Sequence, residues 1–233
     1  MQREAPARDP AFDELESEWR RIGDCSRALV ADWEREIDNV ASDERRLRSE
    51  GRWVRGRDDF LGVLGLHREE VRHSKIIAWL LDPCAPHGLG ARVLAGVLRS
   101  AFGDEVLAAL HEGLGSATPS CEVARGDARI DILVEAPGLT LVIENKVDAL
   151  EGEGQCDAYF ELFGRDPGAR FILLTPTGRR PTSATCSAQE EFKTLGYGAL
   201  RRIIRAALDQ APAGAGGRPI AEDYIRTLKQ EFR

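Results

Sequence analysis

Three side chains near the middle of the sequence have the types and spacing to do chemistry: Asp131, Glu144 and Lys146. They lie in ARIDILVEAPGLTLVIENKV, where Pro137-Gly138 is a turn dipeptide between two alternating apolar runs, the pattern of a β-hairpin. A turn centred on that dipeptide sets residue 131 opposite residue 144. Strand alternation then predicts one apolar face with Ile130, Ile132, Val134, Leu139, Leu141 and Ile143, and an opposite face with Asp131, Leu133, Val142, Glu144 and Lys146. Two carboxylates that meet across a strand pair repel each other unless positive charge lies between them. Hard divalent cations such as Mg²⁺ favour carboxylate oxygens. The expected chemistry is therefore a metal site with an adjacent amine. The competing reading is a solvated sheet face on which Lys146 merely pairs with the two acids, and spacing alone leaves both open.

The elements that must position these groups are legible in outline. Four short β-branched runs, 121–124, 130–136, 139–147 and 171–175, predict strands. A helix over 154–163 is expected between the last two. Helices are also expected over 58–81, ending at Asp82-Pro83, and after the turn His87-Gly88-Leu89-Gly90. Two more, near 197–209 and 220–232, close the chain. The order predicts an α/β fold, a mixed sheet flanked by helices. The segment TPTGRRPTSATCSAQ reads as a polar loop near a substrate entrance.

The first forty residues predict another helix, with Asp9 as N-cap and Pro10 at the first helical position. Its apolar residues, from Phe12 to Val40, recur close to a heptad with Ser26 interrupting. Such a stripe packs on the rest of a domain or forms a homodimer through the N-terminal helix. Residues 42–57 read as a helix end and linker, so the expected division is 1–57, an N-terminal helical segment and linker, and 58–233, the domain that carries the hairpin.

Composition bounds the function. In 233 residues, 42% hydrophobic and 30% charged, no run reaches the roughly 18 apolar residues of a membrane span. The N-terminus lacks the apolar core of a signal peptide. Cys25, Cys84, Cys121, Cys156 and Cys186 form no C-x-x-C pair, which fits structural thiols in the cytoplasm. A net charge of −7 argues against holding nucleic acid by bulk electrostatics, so local basic groups or a bound cation would have to offset phosphate. Arg165, Arg170, Arg179 and Arg180 flank the last strand, and Arg201, Arg202 and Arg205 share a helix. Each group is either a solvated face or a phosphate contact. His73 and His87 read as structural histidines, and Glu122 is a further acid on the first strand.

Asp131 followed by Glu144-Asn145-Lys146 resembles the PD-(D/E)XK nuclease superfamily, as do EVRHSKIIAWLLDP, HGLG, the QCDAY helix with its Q-x-x-x-Y spacing, and FILLTPTG. The resemblance runs from about Phe60 almost to the C-terminus. Ile130 stands where the motif's name has proline. The resemblance implies a restriction-endonuclease-like αβββαβ core, with an N-terminal helix and C-terminal helices added. It implies Asp131, Glu144, the Asn145 carbonyl and Glu70 as ligands of Mg²⁺ or Mn²⁺, and Lys146 and Gln155 as catalytic groups. Tyr159, with Arg179 and Arg180, is the expected contact to substrate. The implied activity is hydrolysis of phosphodiester bonds in nucleic acid, most of all DNA, in defence or restriction. A nuclease-fold binding or interaction module that cleaves poorly alone is the alternative.

Overall fold

A computed structural model describes residues 10–53, 56–126 and 128–232. Asp9, the expected N-cap, lies outside them. The chain divides into two units, 1–56 and 57–233.

Among its described residues the first unit contains one helix, α1 (Pro10–Ser49). It runs on through the charged segment that was expected to end it. Ion pairs three or four residues apart, Arg46 with Asp43 and Glu50 and Arg48 with Glu44, support the extra turns.

The second unit is a five-stranded mixed sheet between two helical layers. The strands β1 (Thr118–Arg125), β2 (Ala128–Ala136), β3 (Leu139–Asn145), β4 (Ala169–Thr175) and β5 (Phe192–Gly196) lie side by side in chain order. The first two pairings are antiparallel and the last two parallel. β5 was not expected: FKTLG has neither the length nor the β-branched content of the other strands, and its pairing with β4 holds it in place.

Pro137 and Gly138 form the hairpin turn, with Gly138 at φ 74°, where a side chain would be strained. The register is the expected one, with Ile132 opposite Ile143. The expected division of faces holds only in part. Ile132, Val134, Leu139, Leu141 and Ile143 join the larger core, but Ile130 joins a second core with Leu133 and Val142 on the other face. The ladder between β2 and β3 stops at Ile132–Ile143, and beyond it β2 leaves the regular alternation. Both faces are covered, so the sheet has no open solvated side at its centre.

The larger core packs under α3 (Glu70–Leu81), α4 (Arg92–Phe102), α8 (Tyr197–Gln210) and α9 (Arg218–Glu231). α2 (Phe60–Val63) and α5 (Asp104–Leu110) are short, and a 3-10 turn leads from α5 into β1. The second core packs under α6 (Gln155–Phe163), whose Cys156, Tyr159 and Phe163 are buried on Leu133, Val142 and Phe171. α7 (Cys186–Glu191) follows the polar loop after β4. Asp82 ends α3: the following proline excludes αR for it, its backbone lies at ψ 111°, and its Oδ1 accepts the Cys84 N–H at 2.9 Å.

Candidate active site

β3 borders an antiparallel neighbour on one side and a parallel neighbour on the other. β2 parts from it beyond Ile132–Ile143, at the C-terminal end of β3, the edge at which such sheets tend to place ligands. Glu144, Asn145 and Lys146 lie at this edge.

Asp131 reaches the edge from β2. Its Oδ2 accepts the backbone N–H of Asn145 at 2.8 Å. Glu144 is fully buried, and its Oε2 lies 2.8 Å from the hydroxyl of Tyr159. Lys146 Nζ stands 2.6 Å from Glu144 Oε1 and 3.6 Å from Glu70 Oε2. The contact with Oε1 is a close ion pair, and the Lys146 ammonium is the cation that faces this buried oxygen. The sequence pairing of two acids with one amine is therefore present in space.

Electrostatics follow from that crowding. Burial, and then the charge of Asp131, push the Glu144 carboxyl up to about 7 against the pull of Lys146 and Tyr159. Burial also raises Asp131, opposed first by the Asn145 N–H. Burial alone would lower Lys146, but Glu144, Asp131 and Glu70 raise it, so the amine stays charged. Burial disfavours the ionised form of both acids, with Asp131 adding to it at Glu144 and Glu70 at Asp131, and a divalent cation between the carboxylates would relieve that crowding. The donor set Asp131, Glu144 and the Asn145 carbonyl suits a hard divalent ion. Among the described residues, however, no group of three or more His, Cys, Asp or Glu side chains is assembled to hold a metal. Lys146 occupies the space between Glu144 and Glu70 instead.

The surrounding residues fix this arrangement. Glu70, in the first turn of α3, accepts the Val147 N–H through Oε1 at 2.9 Å. Asn145 uses its side chain to tie β3 to two helices. Its Nδ2 donates to Ser74 Oγ at 3.0 Å and to the Glu70 carbonyl at 3.2 Å, while its Oδ1 accepts from Tyr197 at 2.6 Å. Gln155 and Tyr159, one helical turn apart on α6, act as a unit: Gln155 Nε2 donates to the Tyr159 hydroxyl at 2.9 Å. That hydroxyl also lies 2.5 Å from the Arg129 carbonyl oxygen. A cleft of about 750 Å³ opens beside this pair, bordered by Arg129, Gly154, Gln155, Ala158 and Tyr159.

Ser74 and Tyr197 are two residues beside the site that sequence reasoning missed. Ser74 had a local signal, one turn after Glu70 on the same helix face, but Tyr197 had none because only the fold brings α8 to the end of β3. Glu151 was missed as well. It is buried, accepts Arg179 Nη1 at 2.7 Å, and accepts the Thr182 hydroxyl at 2.9 Å and the Ser183 N–H at 3.2 Å. Arg179, one of the expected substrate contacts, is thus held by an internal acid, whereas Arg180 is exposed. Glu122 pairs with Arg129 from a left-handed backbone position, φ 56°.

Both histidines are structural. His73 lies between the Tyr224 hydroxyl and the His67 carbonyl, each at 2.9 Å. His87 accepts the Leu89 N–H through Nδ1 and lies 3.0 Å from the Trp79 carbonyl through Nε2, a pattern that fixes the neutral Nε2–H form. Burial lowers the pKa of both. Cys25, Cys84, Cys121 and Cys156 are free thiols. No helix among the described residues is long and apolar enough to cross a membrane.

In a comparison with known families, the model of the PD-(D/E)XK nuclease superfamily matches residues 58–221. No curated protein and no solved structure matches the chain.

Proposed function

Because the chain belongs to the PD-(D/E)XK nuclease superfamily, we propose that it is a divalent-metal-dependent phosphodiesterase acting on DNA, with Asp131, Glu144 and Lys146 at its catalytic centre. The observation that carries this reading is the meeting of the buried Glu144 carboxylate, the half-buried Asp131 and one ammonium at the end of β3, with Lys146 Nζ 2.6 Å from Glu144 Oε1. Asp131, Glu144 and the Asn145 carbonyl would hold Mg²⁺ or Mn²⁺, with Glu70 beside them. The ion would lower the pKa of an attacking water and offset charge that develops on the phosphate.

The chain's own groups account for the rest. Glu70 and Glu144 aim the ammonium of Lys146, which supplies fixed positive charge next to a phosphate in a partly desolvated site. The Tyr159 hydroxyl, itself positioned by Gln155, lies against Glu144 Oε2, and the Asn145 N–H holds Asp131 Oδ2, so neither carboxylate has to reorganise when the substrate arrives. The cleft beside Gln155 and Tyr159 gives the strand a path to the site, and Arg180 is free to meet its backbone. Restriction or defence against foreign DNA in the cytoplasm is the proposed setting, and it rests on the family alone.

A specific observation favours the second reading, a nucleic-acid-binding module that cleaves poorly without a partner: the Lys146 ammonium fills the space between Glu144 and Glu70. One experiment separates the two. Purified protein is incubated with plasmid, single-stranded DNA and RNA, with and without Mn²⁺, beside the Asp131→Asn variant. Cation-dependent cleavage of DNA that the variant loses supports the enzyme. Gel-shift binding with no cleavage under any cation overturns it in favour of the module, and cleavage of RNA alone overturns the choice of substrate.

A further inference from the structure

The apolar stripe of α1 has a symmetry that a simple heptad does not require. Nine positions from Phe12 to Val40, with Val30 in the seam and its neighbour Leu29 at the seam's edge opposite Gly23, are separated by 3, 4, 3, 4, 4, 3, 4 and 3 residues, the same sequence from either end, with Ser26 at the centre. Phe12 mirrors Val40, Leu15 mirrors Ile37, Trp19 mirrors Trp33 and Ile22 mirrors Val30. Every seventh residue is retained from end to end. The companion column stands three residues after it before Ser26 and four residues after it beyond. At 100° per residue all nine positions fall in an arc of roughly 80°, one straight seam. The eight apolar members are each 52–72% exposed.

We propose that α1 pairs antiparallel with α1 of a second copy of the chain, about a two-fold axis that passes Ser26. A two-fold contact needs a surface complementary to itself, and a palindromic seam provides one: each residue of the stripe meets its mirror position on the partner. Trp19 stacks beside the partner's Trp33, bulky Phe12 meets the smaller partner's Val40, and the small Ser26 lies where the two backbones approach on the axis. The helix dipoles favour the direction: an antiparallel pair opposes them, whereas a parallel pair aligns them. The acids of the first turns do not discriminate, since Asp13, Glu14, Glu16 and Glu18 face themselves in a parallel pair and the segment with Glu34, Glu36 and Asp38 in an antiparallel one. Eight large side chains that are more than half exposed offer on the order of 800 Å² per copy, the size of a standard stable interface.

The test uses the full chain with Cys25→Ser, Cys84→Ser and Cys186→Ser, which removes the thiols that are exposed among the described residues and Cys186 besides. Light scattering at micromolar concentration should give about twice the 25.7 kDa chain mass, and Trp19→Glu should return it to one chain. Orientation is read by oxidation. Leu15→Cys together with Ile37→Cys should give a covalent dimer, while Leu15→Cys alone should not. The two positions are roughly 33 Å apart along one helix, so no link can form within a chain. A monomer mass overturns the proposal, and so does a covalent dimer from Leu15→Cys alone, the mark of a parallel pair. Circular dichroism of Trp19→Glu shows whether the rest of the fold survives. Neither result bears on cleavage, which rests on the other unit.

Discussion

The hydroxyl of Tyr159 lies 2.8 Å from Oε2 of Glu144, the most buried acid of the site, and 2.5 Å from the Arg129 carbonyl, so its single proton is shared between the two acceptors. Glu144 carries a carboxyl pushed up to about 7 by burial and by Asp131, while the contact with Tyr159 pulls it down.

The first prediction concerns pH. A divalent cation needs the ionised carboxylate, so protons compete with it. Apparent Mn²⁺ affinity should weaken about tenfold per pH unit below 7 and level off above it. For the metal-free fold the sign is opposite. A folded-state value raised from 4.5 stabilises below 4.5, and this contribution disappears as pH rises from 4.5 to about 7, a difference on the order of 3 kcal/mol. Tyr159→Phe removes the hydrogen bond and should move the midpoint of Mn²⁺ binding to higher pH, with activity reduced about tenfold or more. Calorimetric titration at several pH values checks this. An unmoved midpoint would show that the hydroxyl does not tune Glu144.

Opposite signs are expected for two substitutions at the same centre. Asp131→Asn keeps an acceptor for the Asn145 N–H and removes a negative charge that crowds Glu144. It should abolish cleavage by about three orders of magnitude while metal-free thermal stability stays level or rises. Lys146→Ala removes the cation that both Glu144 and Glu70 face. It should abolish cleavage as well, but lower metal-free stability by about 1–3 kcal/mol, part of which Mn²⁺ restores. Paired thermal melts with and without Mn²⁺ decide the matter, and equal losses in both variants would refute the electrostatic account.

Much of this site was legible because it is local in sequence. One hairpin register brings Asp131 towards Glu144, and strand alternation brings Lys146 to the same edge. Q-x-x-x-Y spacing likewise sets Gln155 beside Tyr159. What stayed hidden depends on tertiary placement. Tyr197 reaches Asn145 only because α8 packs over the end of β3, and Ile130 changes face only because the strand ladder ends one pair before Asp131 and Glu144. β5 forms from a short run that β4 pairs, and no periodicity announced it. In α1, by contrast, the helix runs on to Ser49 within the segment expected as helix end and linker, because the charges there are spaced as helix-stabilising pairs.

Glu151 gives the last prediction, away from the reacting groups. Burial pushes its carboxyl up, yet the backbone N–H of Thr182, the Arg179 guanidinium and the Thr182 hydroxyl outweigh burial and bring it down to about 2. A lowered folded-state value means stability that is present above 4.5 and lost as pH falls from there towards 2. The acid is the anchor of the loop after β4, since Arg179, Thr182 and Ser183 all bind it. Glu151→Ala leaves the guanidinium without its carboxylate and should cost about 2–3 kcal/mol, short of a fully buried pair because Arg179 keeps 26% exposure. The freed loop should be cut by trypsin between Arg179 and Arg180 at least several-fold faster than in the parent. Glu151→Gln, which retains an acceptor for Thr182 but not the charge, should fall between them. If trypsin cuts all three at one rate, Glu151 does not anchor the loop, and Arg179 is free to serve the substrate after all.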